Sequence, residues 1–280
     1  MNYFNEIKTS TNIIKPKIGL ICNIGNAHSG KLGGINGVIE AKSELFENLN
    51  HNGTAIINID DDNCVSIGKK FSGKKLTFGF SSKADVKISE VKTETINTIS
   101  FNKQSNLSSS AILNYKNNKI KIKLKLPGKH NILNAAAAAA VTLAYGIDLE
   151  TSVIGMEQMT SINGRFNIHR LKNGVLIIND FYNASPESTK IALNMLKYFK
   201  NCRKLVALGD MLELNEPIMH HKNIGYLCAK QDLNLIFTCG KYSNITINEA
   251  IKYGFNLKNT IITENAMQLA KKIAKIIKKK

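Results

Sequence analysis

The feature that most constrains this 280-residue chain is a repeated change of hydrophobic period in its second half. Four short apolar runs, "GVLIINDF" (174–181), "KLVALGD" (204–210), "LNLIFTCG" (233–240) and "NTIITE" (259–264), have the length and β-rich composition of strands. Each is followed by a segment of helical period: "SPESTKIALNMLKYF", with Pro186 in its first turn, "HHKNIGYLCAKQ", "ITINEAIKYG" and "NAMQLAKKIAKIIKKK". Strands that alternate with helices pair in parallel, with the helices as crossovers, so the spacing predicts a doubly wound, Rossmann-like α/β domain.

The first half begins in the same way. "KIGLICNI" (17–24), "GTAIINID" (53–60) and "KKLTFGF" (74–80) read as strands. "INGVIEAKSELFENL" (35–49) reads as a helix with Ile35, Val38, Ile39, Leu45, Phe46 and Leu49 on its apolar face, and "DDNCVSIGKKF" as a short helix. From about residue 84 the pattern changes. "ADVKISEV", "TINTISF", "SSAILNYK" and "KIKIKLKL" predict an antiparallel meander attached to the first sheet, the last run alternating apolar residues with lysine as a half-exposed strand does. Pro127-Gly128 then break the chain ahead of a helix, "KHNILNAAAAAAVTLAYGI", and "DLETSVIGMEQM" predicts another. A glycine-containing hinge, "TSINGRF", places a domain boundary near residue 163, giving domains 1–163 and 164–280.

Composition narrows the function classes. The formal net charge is +17, yet the only arginines are Arg165, Arg170 and Arg203, and the lysines are spread along the chain without aromatics interleaved for base stacking. Nucleic-acid binding therefore rests on charge alone and is the weaker alternative. The basic last segment fits a core-facing stripe at Leu269, Ile273, Ile276 and Ile277 better than a membrane-surface element. The five cysteines are scattered, with no CxxC spacing, which argues against a disulfide framework or a zinc site. With no basic-apolar leader and no run of eighteen apolar residues, the expected location is the reducing cytoplasm.

Several stretches carry chemistry of more than one kind. Asn131 and Asn134 open a helix, where an amide can cap the backbone or meet an adenine edge. Asp180 ends a strand, where a carboxylate can cap the next helix or accept from ribose hydroxyls, and Asp210 has the same placement. Arg165, in the hinge, fits a surface residue or a phosphate contact. His28 fits a polar loop residue or a metal ligand. Lys42 fits a solvated helix lysine; it could bind a cation only if carbon dioxide had converted its amine to a carbamate.

Taken in order, "TNIIKPKIGLICNIGNAHSGKLGGINGVIEAKSELF", "LPGKHNILNAAAAAA", "INGR", "DFYNASPES" and "LGDMLEL" resemble the Mur ligases of peptidoglycan synthesis, from about residue 5 to 270. "YNASP" and "LGDMLEL" resemble most the branch that adds D-alanyl-D-alanine to UDP-N-acetylmuramoyl-tripeptide. The resemblance implies ATP-dependent amide formation through an acyl phosphate, with ATP and Mg²⁺ as cofactors and with roles in cell-wall biogenesis, cell shape and division. It implies that His28 and a carbamylated Lys42 ligate Mg²⁺, that Asn134 contacts adenine, Arg165 the ATP phosphates and Asp180 the ribose, and that Asn183 and Asp210 lie in motifs facing the substrate cleft.

The family's phosphate-binding P-loop, of the type GTxGKT, has no counterpart in these residues, and "AHSGKLGG" lacks its glycine spacing. The expected architecture is thus an incomplete central domain, a mixed sheet with an antiparallel meander, joined to a Rossmann-like domain that stops before the family's last "KGS"-like motif. The expected activity alone is low. Three forms fit: a gene remnant, one half of a split ligase that assembles with a separate N-terminal polypeptide, or a non-catalytic binding protein derived from a ligase.

Overall fold

A computed structural model describes residues 1–97 and 107–277. The described residues form two compact units, 1–95 with 107–160, and 96–97 with 161–277.

The first unit opens with α1 (Glu6–Ile14), β1 (Ile18–Ile21), the single turn α2 (Ser29–Leu32), α3 (Ile35–Glu47), β2 (Thr54–Asn58), α4 (Asp62–Lys70), β3 (Lys74–Gly79) and β4 (Val86–Thr93). After β5 (Ile96–Asn97), whose residues belong to the second unit, it resumes with β6 (Ser109–Tyr115), β7 (Asn118–Leu124), α5 (Lys129–Tyr145) and α6 (Leu149–Glu157). Six strands form one sheet in the order β1-β2-β3-β4-β6-β7. The first four are parallel and the last two antiparallel, which is the mixed sheet expected from the sequence.

Strand periodicity divides the core. In β2, Ile56 lies in one apolar cluster with Phe78, Leu113, Ile132 and Ala136, while Ala55 and Ile57 lie in another with Val38, Phe46, Cys64 and Ile67. Successive side chains of a strand point to opposite faces, so a run buried on both sides serves two layers. The alanine run gives α5 a thin face: Ala136, Ala139 and Ala140 are fully buried where the helix crosses β1, β2, β3, β4 and β6. At the far edge, β7 turns Lys119, Lys121 and Lys123 outward, and the Lys123 amide donates to the Glu157 carboxylate at 2.8 Å. Lysines and a capped amide blunt an edge that would otherwise invite strand pairing.

The second unit contains β8 (Asn167–Arg170), β9 (Leu176–Asn179), α7 (Pro186–Met195), β10 (Phe199–Lys200), β11 (Leu205–Leu208), α8 (Pro217–Ala229), β12 (Leu235–Cys239), α9 (Ser243–Lys252), β13 (Thr260–Thr263) and α10 (Ala266–Ile277). β11, β12 and β13 form a parallel sheet in chain order, with α8 packed on α9. Ser185 starts α7 with a capping box, and Pro186 occupies the first turn as predicted.

Two strand pairings differ from the sequence reading. The strand expected over 174–181 pairs antiparallel with Asn167–Arg170, forming a hairpin. Its turn is closed by Leu171 N–H to Val175 O at 2.8 Å, with Gly174 at φ 85°, so the Asn173-Gly174 pair is a hairpin signal that the helix–strand alternation masked. The expected meander strand "TINTISF" has its residues 98–101 outside the described residues, and Ile96–Asn97 pair in parallel with Phe199–Lys200 rather than with the meander.

The two units share a loop device. Asp60, just past β2, accepts the backbone N–H groups of Phe80 and Ser81 at 2.6 and 3.0 Å, over Gly79. Asp210, just past β11, accepts those of Lys241 and Tyr242 at 2.8 and 3.0 Å, over Gly240. In each case a carboxylate at the end of one parallel strand ties down the loop that leaves the next, and glycine leaves it room.

Candidate functional site

In the first unit the chemistry gathers on the loop after β1. Three successive residues are gripped from different elements. The Cys22 carbonyl accepts from Asn58 Nδ2 at 2.8 Å, the Asn23 carbonyl from Lys42 Nζ at 2.7 Å, and the Ile24 amide donates to Asp61 Oδ2 at 2.8 Å. Asp61 Oδ1 also caps α4 through Cys64 N–H at 3.0 Å. The loop leads to His28, a half-buried residue in the left-handed region at φ 68°, ahead of α2. His28 and Lys42 thus belong to one loop system, and Lys42 already has a structural task there.

Asn134 is exposed in the second turn of α5, a helix whose entry is Gly128 at φ 100°. Asn131 donates from Nδ2 to the Pro127 carbonyl at 2.8 Å and so ties down the turn before the helix instead of capping an amide.

In the second unit, Arg165 and Asp180 meet at one corner. Asp180 Oδ1 accepts the Phe166 amide at 3.1 Å, the Tyr182 amide donates to the Gly164 carbonyl at 3.2 Å, and the Arg165 guanidinium lies 4.4 Å from the Tyr182 ring centre. The hinge segment 164–166 is therefore fastened to the end of β9. Phe166 is held at φ 47°, an unusual conformation for a bulky side chain and one that the Asp180 bond helps to maintain. Phe181 and Tyr182 are 70% and 69% exposed, so the corner presents an arginine, a carboxylate with its Oδ2 unspent and two aromatic rings to solvent. Asn183 follows, exposed.

Asp210 belongs to a different cluster. Behind it lies His221, buried on α8, whose Nδ1 lies 2.8 Å from the Pro217 carbonyl and whose Nε2 accepts the Met211 amide at 3.1 Å. That pattern sets the Nδ1–H tautomer. The imidazole stacks on Tyr242 with centroids 4.6 Å apart. Reading by motif passed over His221, Asn58, Asp61 and Glu44. Of these only Asp61 carried a local signal, as an aspartate opening a helical run. Glu44 is buried and accepts the Asn5 and Lys8 amides at 2.6 and 2.9 Å, anchoring the start of α1 across 36 or more residues of chain.

Donor chemistry tests the implied Mg²⁺. Among the described residues no group of three or more His, Cys, Asp or Glu could hold a metal ion. The Lys42 amine is a hydrogen-bond donor to Asn23, not an oxygen ligand. Mg²⁺ demands oxygen donors in near-octahedral array, so the residues present do not make a Mg²⁺ site by themselves.

Comparison with known proteins identifies the family. Residues 1–142 match the Mur ligase middle domain, and residues 164–280 match the Mur ligase glutamate ligase domain. The UDP-N-acetylmuramoyl-tripeptide–D-alanyl-D-alanine ligase of Buchnera aphidicola is 35% identical over 262 residues, 92% of this chain and 54% of the relative; that of Haemophilus influenzae is 30% identical over 89% and 52%. The chain thus spans about half the length of the curated relatives it matches. Among solved structures, MurF from Acinetobacter baumannii superposes with a TM-score of 0.86 at 28% identity, covering 99% of this chain and 57% of that one. MurF from Thermotoga maritima, solved in complex with ADP, shares the fold with a TM-score of 0.76 at 22% identity, over 98% and 59%. With one domain family matched across its first half and a second across its remainder, the chain belongs to the Mur ligases.

Proposed function

We propose that this chain supplies the nucleotide-facing and amine-facing parts of a ligase that joins D-alanyl-D-alanine to UDP-N-acetylmuramoyl-tripeptide at the expense of ATP. In that reaction the γ-phosphoryl group passes to the tripeptide carboxylate and ADP leaves. The dipeptide amine then attacks the acyl phosphate, losing a proton, and inorganic phosphate departs as the amide forms.

The corner at the end of β9 is the observation that carries this reading. Asp180 spends Oδ1 on Phe166 N–H and keeps Oδ2 to accept from ribose hydroxyls. Arg165, steadied over Tyr182, offers a planar donor fork to phosphate oxygens. In the first unit, taken by itself, Asn134 has the donor and acceptor that an adenine edge needs, and His28 and Lys42 belong to the loop system after β1. A carbamate on Lys42 would retain one N–H for the Asn23 carbonyl while presenting oxygens outward, so the observed contact is compatible with that modification. Where ATP binds, any Mg²⁺ would draw most of its oxygen ligands from the phosphates and water.

On this reading, turnover needs groups beyond these residues, supplied by a further segment or a separate polypeptide. The test is phosphate release from ATP with UDP-N-acetylmuramoyl-tripeptide and D-alanyl-D-alanine. It is run with the folded chain alone and with the part of the Buchnera relative that lies outside the match. Release only on mixing supports the proposal. Release by the chain alone shows that ATP is held without those groups. A folded chain that binds ADP but stays silent in both arms points to a binding protein, and one that binds no nucleotide overturns the reading.

A further inference from the structure

The lysines are spread along the chain, yet the first unit's sheet gathers five of them on one surface. β4, β6 and β7 pair antiparallel, and their register lines up three cross-strand rows: Lys87–Asn114–Lys119, Ser89–Ile112–Lys121 and Lys92–Ser110–Lys123. These rows lie on the face away from α5, because the intervening Val86, Ile88, Ala111, Leu113, Ile122 and Leu124 are buried in the cluster that contains the α5 alanines. A bulge keeps Lys92 in the array. The register shifts between Ser89 and Lys92, with Glu90 at φ 52°, so Val91 packs on the apolar cluster and Lys92 joins the open face.

The result is a furrow with cationic walls. Its floor is β6, where Ser110, Ile112 and Asn114 are half-buried and uncharged. Its walls are the lysines of β4 and β7; Lys92, Lys119, Lys121 and Lys123 are exposed and Lys87 is half-buried. The walls stand about 10 Å apart, two strand spacings, and lysines along β7 repeat every ~6.8 Å. Among the described residues only Lys123 of the five has an ion-pair partner, Glu94 at 3.0 Å. Like charges held this close repel, and an anion between the walls relieves that repulsion. On the floor, Asn114 donates from Nδ2 to Ser89 Oγ at 3.0 Å and keeps Oδ1 as an acceptor.

We infer that this furrow binds the phosphate backbone of a single-stranded nucleic acid, with little regard to sequence. The lysine repeat suits the reach between successive phosphates of an extended strand, and a furrow one backbone wide does not seat a duplex. No aromatic side chain lies in the three rows, so base stacking is absent and the contact is electrostatic. A bilayer is a poorer partner, because Ile112 is the only apolar side chain the face offers for insertion. An acidic peptide adding as a strand to β7 meets an edge whose Lys123 amide is already held by Glu157 at 2.8 Å. The inference is independent of the ligase reading and shares no residue with it.

The test is fluorescence anisotropy of a labelled oligothymidylate with the full chain at several salt concentrations. Four free lysines predict a slope of log affinity against log salt of about −3, and so a loss of about fiftyfold between about 50 and 200 mM salt. Lys87→Gln, Lys92→Gln, Lys119→Gln and Lys121→Gln should each flatten the slope by about 0.7. Lys123→Gln should change it less, since Glu94 already neutralises that charge. The four changes together should abolish binding. A control with Lys258, Lys271, Lys272 and Lys275 all changed to Gln, exposed residues of the second unit, removes the same net charge and should bind as the parent does. Equal loss in the control would mean that overall charge alone holds the strand, and the furrow would be rejected. Displacement of the oligonucleotide by saturating ADP would place it on another site and also reject the furrow. Stronger competition by polyglutamate than by unlabelled oligonucleotide at equal charge, or binding to phosphatidylserine vesicles without binding to the oligonucleotide, would overturn the choice of partner.

Discussion

Replacing Gly240 with alanine tests the clamp that organises the second unit. A Cβ at this position would lie 2.5 Å from Asp210 Oδ2 and 2.6 Å from its Cγ, and the residue sits at φ +110°. Backbone strain for alanine at positive φ costs about 1–2 kcal/mol. The larger effect is displacement of the carboxylate from two backbone amides. Hydrogen bonds to a charged group contribute about 1.5–3 kcal/mol each, and water reaches the Lys241 amide, so together they contribute about 2–4 kcal/mol. Gly240→Ala should therefore destabilise the unit by about 3–6 kcal/mol. Asp210→Ala loses only the bonds, about 2–4 kcal/mol. Once Asp210 is alanine the clash is gone, so adding Gly240→Ala costs only the strain, and the double variant should be no less stable than Gly240→Ala alone. Hydrogen exchange of the amides in 205–255, read by mass spectrometry for all four proteins, reports this unit separately from the first. Effects that add to within about 0.5 kcal/mol would mean that Gly240 and Asp210 act independently, and the clamp argument would fail.

Three further outcomes follow from the same contacts. Glu44→Ala removes the carboxylate that anchors α1, so amides of residues 5–14 should lose most of their exchange protection while those of β2 and β3 keep theirs; equal loss in both would place Glu44 in the global core instead. Lys116, at φ 53° in the turn between β6 and β7, should favour glycine, and Lys116→Gly should raise stability by about 1 kcal/mol in denaturant unfolding, whereas a loss would mean that the lysine side chain outweighs the strain. Burial pushes the Cys228 thiol from its usual 9.0 up to about 12. Above pH 9 the unfolded chain releases this proton and the folded chain holds it, so the stability it contributes falls with pH by about 1.4 kcal/mol per unit until the folded value is reached. Unfolding curves at pH 9 and pH 10 should converge for Cys228→Ala relative to the parent, and parallel slopes would show that the thiol is not withheld from titration.

How much of this was legible beforehand differs from element to element. The helix over 35–49, the alternating strand at 119–126 and the parallel strands at 204–210 and 233–240 were all readable, because their periods are set by neighbours a few residues away. The single-turn α2 and the nine-residue α1 were not, since each is too short to show a period and is held by contacts from elsewhere, α1 by Glu44. The hairpin at 167–179 was misjudged although its Asn-Gly turn stood in the sequence, because the helix that follows β9 made a parallel crossover look more economical.

The candidate residues divide in the same manner. Arg165 and Asp180, fifteen residues apart, could be suspected separately, but that one fastens the hinge beneath the other needed the fold of the hairpin between them. Lys42 could be placed on a helix, but its bond to the Asn23 carbonyl spans nineteen positions and has no trace in local pattern. His221 stood only as one of two adjacent histidines in a helical run; packing alone showed it buried against Tyr242 with both nitrogens spent on loop backbone.

By itself the sequence determined the α/β class, the change from parallel strands to a meander, and the motifs that carry the family's signature. Each depends on residues close in the chain, where period and turn chemistry act directly. The tertiary structure alone decided which strands pair and which carboxylates became loop clamps. Those outcomes depend on groups tens of residues apart competing for the same few backbone donors, and that competition is settled only when the layers pack.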